Sequence, residues 1–342
     1  MSYQISDGER KAGVLSSDKL AAIVRDIETL GYAVVENLVS QETADLLSEA
    51  VLEDVARIRE VGQPTQHEQK TAEGHLQLGL RRYAPYVRMD LVANPLIECV
   101  VAGVLGRGAW LGFYNGNVNC PGSKYQPLHF DRPFSWKTPE DAHRDGQSWP
   151  PPATTLSCSI AFEEITEANG ATEIFVGTQR EPAVANWTTN RIGDHHELIE
   201  KWSPPTRMTI PAHGVCFRDP RMWHRGVPNT ANKARVMIAA TYHAGRSKHW
   251  RGVYVQDLDP DVVARCERDP ALRLMDDDST LGDGRLVFQS DVREVFEAAP
   301  NLHGIDRNVR FVEDPERVNH FLDAHLLGGA RVVTGDVSPD GG

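Results

Sequence analysis

The sequence predicts a mainly β protein, an antiparallel sandwich or barrel with helices flanking it on the N-terminal side. Three observations carry that expectation. From about residue 108 the chain breaks into short β-rich runs separated by Gly, Pro and Asn turn signals. Before that point, apolar residues recur at helical spacing. The 342 residues, 40% of them apolar, suffice for a sizeable buried core.

Taken in order, "SDKLAAIVRDIETL" (17–30) reads as an amphipathic helix. Leu20, Ile23, Ile27 and Leu30 share a face, Ser17 is placed as an N-cap, and Gly31 as a stop. "YAVVENLV" (32–39) reads as a strand. "SQETADLLSEAVLEDVARIREV" (40–61) reads as a second helix with an acidic, cappable start at Ser40, Glu42 and Thr43. A third helix over 94–105 enters at Pro95, where a missing N–H does no harm. The β-rich runs follow: "AWLGFYNGNV", "YQPLHF", "TLSCSIAFEEI", "ATEIFVG", "RMTIPA", "GVCFR" and "ARVMIAATYHA". The turns "CPG", "ANG" and "PNTAN" punctuate them. Two long polar loops interrupt, at 135–152 and near 186–205. Loops of that length in a compact domain are commonly lids or binding loops. Beyond 250 the chain is polar and weakly periodic, which fits helices packed outside the sheet and a disordered end at "GDVSPDGG". The expected organisation is one domain over 1–342. It comprises a helical and strand part (17–107), a β core (108–250) and a C-terminal extension (251–342).

Composition narrows the partners. A net charge of −12 opposes nucleic acid and anionic membrane, leaving a small-molecule substrate as the expected partner, with a homo-oligomer left open. No apolar run reaches membrane-spanning length and the N-terminus lacks a signal-peptide centre, so the cytoplasm is the expected location. Five scattered cysteines without a C-x-x-C pair point to reduced, buried thiols.

The chemistry concentrates in "QPLHFDRPF" (126–134). His129 and Asp131 stand two apart, so on a strand both would face one side. An imidazole and a carboxylate placed that way can grip a divalent metal, although H-x-D alone is as readily a structural hydrogen-bonded pair. A second imidazole, His224, follows a β-like run 95 residues after His129. Two histidines and one carboxylate, two close and one distant, is the pattern of the facial triad that holds non-haem Fe(II) with open positions. Arg235 lies eleven residues further on, at the start of another β run. A planar guanidinium there can bind the far carboxylate of a 2-oxo acid that chelates the metal.

With these residues in view, the sequence resembles the phytanoyl-CoA dioxygenase-like (PhyH) family of Fe(II)/2-oxoglutarate-dependent oxygenases. The likeness rests on "LHFD" after "NCPGSKYQP", on "ANGATEIFVGTQR", on "WHRGVPNTANKAR", and on the opening "GYAVVENLVSQETADLL". It covers roughly residues 17–245. The resemblance implies a double-stranded β-helix (a cupin-like jelly roll) with N-terminal helices packed on the major sheet. It implies His129, Asp131 and His224 as iron ligands and catalytic centre, and Arg235 as the anchor for the distal carboxylate of 2-oxoglutarate. Gln126 and Thr172 match positions that touch 2-oxoglutarate in relatives. Fe(II), 2-oxoglutarate and O2 are the implied cofactor and co-substrates, with succinate and CO2 as co-products. The chain departs from the family at "VGTQR", where a Pro-Gly-Ser-His turn is usual. That missing histidine is not a ligand. Asp131 matters more, because related halogenases carry a small residue there.

Hydroxylation of a natural-product intermediate is the leading expectation. Desaturation, cyclisation and epimerisation use the same iron site. A non-catalytic metal-binding jelly roll and a zinc hydrolase or isomerase are the readings from other classes, and Arg235 has no evident task in either. Arg132, Phe134, Trp136 and Trp223 are the substrate-facing candidates. The ordinary role of a tryptophan such as Trp223 is core packing, and Arg132 and Phe134 stand equally well toward solvent. The 135–152 loop, with Trp136 and Trp149, is expected to act as a lid. Arg81, Arg82 and Arg88 read as surface charge by default, and "MDDDSTLGDG" as a solvated acidic loop, since it lacks calcium-loop spacing.

Overall fold

Each of the three expected helices forms where its caps and periodicity place it. A computed structural model describes residues 2–60, 67–68, 71–79, 85–86, 88–92, 94–106, 109–187, 189–193 and 195–244. After a short strand β1 (Ser2–Tyr3), helix α1 (Asp7–Ala12) is closed by a capping box between Ser6 and Glu9. Helix α2 (Ser17–Leu30) starts one residue earlier than the sequence suggests, with Ser16 at the N-cap, and ends at left-handed Gly31. Strand β2 (Tyr32–Val35) is half the expected length. Asn37 adopts φ 56°, a left-handed conformation that no strand continues. The Ser40 hydroxyl accepts from the Thr43 N–H and starts α3 (Gln41–Glu60). Strand β3 (His75–Gly79) and the short helix α4 (Met89–Val92) follow, neither of them expected from the sequence. Asn94 caps α5 (Pro95–Leu105) by accepting from the Leu96 and Ile97 N–H groups.

The β-rich half supplies β4 (Trp110–Asn119), β5 (Thr155–Ala161), β6 (Glu173–Ile174), β7 (Thr206–Arg207), β8 (Val215–Arg218), β9 (His224–Arg225) and β10 (Arg235–His243). Among the described residues these build a seven-stranded sheet in the order β1-β2-β8-β5-β10-β4-β3 and a three-stranded sheet β7-β6-β9. Every pairing is antiparallel except β1 with β2. A large sheet accompanied by a small one, with antiparallel pairing prevailing, fits the double-sheet jelly roll that the resemblance implies.

Strand β10 shows how the sheet divides its faces. Val236, Ile238, Ala240 and Tyr242 join the cluster that holds Ile23 and Ile27 of α2, Leu47 and Val51 of α3, and Val100 of α5. The alternate residues Arg235, Met237, Ala239 and Thr241 line a cavity of about 460 Å³ on the opposite face. Helices therefore cover the outside of the large sheet, as the resemblance implies, and the inside is left for chemistry. The expected strand "YQPLHF" is absent; only His129 forms isolated bridges there. The 135–152 loop contains its own helix α6 (Pro139–Arg144), and the 186–205 stretch contains α7 (His196–Lys201). The extension beyond 244, with its acidic run, lies outside the described residues, as do Arg81, Arg82 and the fifth cysteine. Cys120, Cys158 and Cys216 are free and buried, and Cys99 is free and half-buried. Burial pushes the Cys216 thiol up to about 12, so it is inert as a nucleophile at neutral pH.

The face assignment is open to measurement. Ile238 is fully buried against the helices, and Ile238→Ala is expected to lower stability by about 2–5 kcal/mol in urea titration. Ala239→Ser, one residue along on the cavity side, is expected to change stability by less than about 1 kcal/mol.

Candidate metal and co-substrate site

His129 and His224 face each other because the backbone pairs them. His129 N–H donates to His224 O at 3.0 Å and His224 N–H donates to His129 O at 2.8 Å. Residues that exchange both bonds of an antiparallel bridge carry their side chains on the same side. The ring centroids stand 4.4 Å apart. Each Nδ1 donates to the carbonyl two residues back: His129 to Pro127 O at 2.8 Å, His224 to Met222 O at 2.9 Å. Both imidazoles are thereby fixed in the tautomer whose Nε2 is a bare lone pair. Those nitrogens point toward Asp131, whose Oδ2 is 3.4 Å from His224 Nε2 and whose Oδ1 is 3.7 Å from His129 Nε2.

Asp131 arrives by a different route from the one the i, i+2 argument supposes. It sits at a bend, not in a strand, and its N–H donates to Pro220 O at 2.9 Å. The turn after β8 thus holds the backbone that carries the carboxylate. One ligand atom from each of His129, Asp131 and His224 falls within 4.8 Å of the others, and among the described residues this is the group placed to hold a metal ion.

The protonation states suit such an ion. Burial, with a lesser contribution from facing His224, pushes the His129 imidazole down to about 4, so it is neutral at pH 7. Burial would raise the Asp131 carboxyl, but His224 and the Arg218 guanidinium outweigh it and hold the group well below the usual carboxylate range. Two imidazole nitrogens and one carboxylate oxygen are the donor set that suits Fe(II).

Arg235 is 4% exposed and lines the same cavity. Its Nη2 donates to Gly170 O at 3.2 Å, while among the described residues its Nε has no hydrogen-bond partner. Burial pushes the guanidinium down to about 10, and Glu163 offsets part of that, so it remains a cation at neutral pH. A buried cation with an orphaned donor is suited to a carboxylate ligand. Gln126 and Thr172 also line the cavity. Gln126 Oε1 accepts from the Gly226 N–H at 2.9 Å. A Cβ on Gly226 would meet Gln126 Oε1 at 2.8 Å and His75 Cε1 at 2.6 Å, so only glycine permits this approach.

The turn between His224 and Arg235 is held by asparagines. Buried Asn229 donates from Nδ2 to Asn119 O and Lys233 O, both at 2.8 Å, and accepts from the Ala231 N–H at 2.9 Å. Asn119 in turn donates to Val227 O at 2.9 Å. Gly170, at φ +85°, leaves only 2.2 Å between a built Cβ and Asn119 Nδ2. The "ANG" and "PNTAN" signatures are therefore one interlocked unit that fixes Arg235 relative to His224.

Of the substrate-facing candidates, Arg132 lines the cavity. Phe134 and Trp223 do not: they are buried in a separate cluster with Phe130 and Phe175. Phe134 lies 5.9 Å from Trp149 and 5.1 Å from Arg221, and Trp223 lies 6.5 Å from Phe175. Trp136 donates to Asp145 within its own loop at 2.9 Å. Among the described residues, none of 135–152 lines the cavity. Arg88 donates to Thr43 and Glu42 and does not line the cavity. Sequence reading missed Arg218, whose Nη2 donates to Asp131 Oδ2 at 2.7 Å, and the cavity-facing His75, Gln77 and Asn117. A charged residue closing the buried run "VCFR" was the available signal for the first. Alternation in "HLQL" was the signal for the second and third.

A family model described as Phytanoyl-CoA dioxygenase (PhyH) matches residues 27–237. Among solved structures, the chain is similar to EvdMO1 (16% identity, covering 66% of this chain and 50% of that one, TM-score 0.45). It is also similar to the epimerase SnoN in complex with Fe3+, alpha ketoglutarate and nogalamycin RO (15%, 67% and 84%, 0.47). A third similar structure is AviO1 from Streptomyces viridochromogenes Tue57 (15%, 67% and 96%, 0.44). The chain spans half the length of EvdMO1.

The interlocked turn predicts a measurable penalty. Asn229→Ala removes three side-chain hydrogen bonds, one of them fully buried, and is expected to lower stability by about 2–4 kcal/mol in chemical denaturation. A loss below about 1 kcal/mol would contradict the structural role given to Asn229.

Proposed function

The chain belongs to the phytanoyl-CoA dioxygenase (PhyH) family, and from that premise we propose that it hydroxylates an unactivated C–H bond of a small, polyfunctional molecule of natural-product type. It is a non-haem Fe(II) oxygenase that uses 2-oxoglutarate. The observation that carries the proposal is the convergence of His129, Asp131 and His224 in one cavity with buried, cationic Arg235. His129 and His224 would hold the ferrous ion through Nε2 and Asp131 through its carboxylate. Arg235 would pair with the distal carboxylate of 2-oxoglutarate, with Gln126 and Thr172 as further contacts. When bound, Fe(II) and 2-oxoglutarate supply the oxidising chemistry, in which O2 is consumed and 2-oxoglutarate becomes succinate and CO2.

The rest falls to side chains of this chain. The carbonyls of Pro127 and Met222 keep both ligand protons on Nδ1. The Gly226 N–H fixes the Gln126 oxygen, which leaves the amide NH2 as its donor. The cavity wall supports the substrate class. It presents Gln77, Asn117, Ser157, Ser159 and Thr241 beside Phe113 and Met237. Hydroxyl and amide groups interleaved with apolar ones suit an oxygenated scaffold better than a plain acyl chain. Arg132, on the cavity rim and exposed, is placed to meet an acidic or hydroxylated substituent. Among the described residues no helix is long and apolar enough to cross a membrane.

Anaerobic addition of Fe(II) and 2-oxoglutarate is expected to give a weak visible charge-transfer band, and air is then expected to yield succinate. Neither signal would appear from a metal-binding scaffold without oxygenase activity. Arg235→Met is expected to raise the KM for 2-oxoglutarate on the order of a hundredfold, since a buried charge pair is lost. Gly226→Ala, which displaces Gln126, is expected to raise it about tenfold. Steady-state kinetics read both, and an unchanged KM in Arg235→Met would refute the assignment of the co-substrate pocket.

A further inference from the structure

Arg218 is a cavity residue for which the proposed ligand set has no use. It closes β8 and is 6% exposed. Its Nη2 donates to Asp131 Oδ2 at 2.7 Å, and among the described residues its Nε has no hydrogen-bond partner. Its Nη1 lies 3.2 Å from His224 Nδ1, but that nitrogen already gives its proton to Met222 O. Two donors cannot bond each other, so the guanidinium's bond in the site goes to the carboxylate. The backbone reinforces this. Asp131 and Arg132 both donate their N–H groups to Pro220 O, at 2.9 and 3.2 Å, so the segment just after Arg218 grips the chain that carries Asp131.

We infer that Arg218 is a positioning residue that restricts Asp131 to ligation through a single oxygen and so keeps one metal position free for O2. The inference rests on the reading of His129, Asp131 and His224 as iron ligands. The argument is one of coordination number. Two imidazoles, one carboxylate oxygen and the two chelating atoms of a 2-oxo acid would supply five donors, and the facial-triad pattern needs a further position left open. A carboxylate that chelates with both oxygens would fill that place. Oδ2 directs its electron density into a short charge-assisted bond with Arg218, while among the described residues Oδ1 accepts no such bond. Oδ1 is therefore the oxygen left for the metal.

The test uses the full chain with Arg218→Met, which removes the fork, and Arg218→Lys, which keeps the charge. The probe is nitric oxide, an O2 surrogate, added anaerobically to protein loaded with Fe(II) and 2-oxoglutarate and followed by electron paramagnetic resonance. Arg218→Met is expected to bind nitric oxide at least tenfold more weakly than wild type. Its 2-oxoglutarate affinity, read from the charge-transfer band, is expected to stay within about threefold. Arg218→Lys is expected to recover most of the nitric oxide affinity. Equal nitric oxide affinity in Arg218→Met and wild type would overturn the inference. So would a parallel loss of iron, 2-oxoglutarate and nitric oxide binding, which marks a merely structural role. If Arg218→Met does not fold, Arg218→Gln takes its place with an expected loss of at least threefold, and wild-type affinity in that variant is equally fatal. Absence of the charge-transfer band in wild-type protein would instead sink the iron reading itself.

Discussion

A single pair of backbone hydrogen bonds, exchanged between His129 and His224, is the constraint on which the site depends. It joins two segments distant in sequence and puts both rings on one side, with their centroids 4.4 Å apart. The same segments supply the Pro127 and Met222 carbonyls that take the Nδ1 protons. Position and tautomer are thus set by main chain rather than by side-chain rotamers. Metal-binding nitrogens fixed in this way need no rearrangement when an ion arrives, and the entropy of ordering them is already spent in folding. The large sheet provides the other coordinate. Arg235 opens β10 in register with Asn119 of β4, and Asn119 is locked to the His224–Arg235 turn through Asn229 and Val227. One structural unit therefore sets the separation between the metal group and the cation.

Electrostatics divides between surface and interior. The chain as a whole carries −12, yet the cavity wall buries Arg218 and Arg235, and among the described residues Asp131 is the one carboxylate that lines it. Excess buried positive charge is costly unless an anion answers it. A dicarboxylate co-substrate does so, which is why the orphaned Nε of Arg235 reads as a ligand-binding feature rather than a flaw in packing. Arg218 shares in this balance by pairing with Asp131.

Much of this was legible in the sequence where the signal is local. Helices α2, α3 and α5 carry their caps and apolar spacing within a few residues, and they form within one residue of where those signals fall. The alternation in β10 likewise separates helix-facing from cavity-facing positions. Non-local signals were harder to use. His129 and Asp131 do meet His224, but through a bridge and a bend rather than along a strand. Arg218 escaped notice because its partner, Asp131, lies 87 positions away. Strand β3 escaped although His75-Leu76-Gln77-Leu78 alternates, because it is only five residues long. The packing role that the sequence favours for Trp223 has a geometric reason. Adjacent residues in extended chain point to opposite sides, so Trp223, next to His224, turns into the cluster with Phe175 instead of the cavity.

The central claim is spatial, and diffraction tests it most directly. A crystal grown with Fe(II) and 2-oxoglutarate, measured at the iron absorption edge, is predicted to show one anomalous peak in contact with His129 Nε2, His224 Nε2 and an oxygen of Asp131, with the distal carboxylate of 2-oxoglutarate on Arg235. A peak that excludes His224, or a carboxylate seated away from Arg235, would contradict the account.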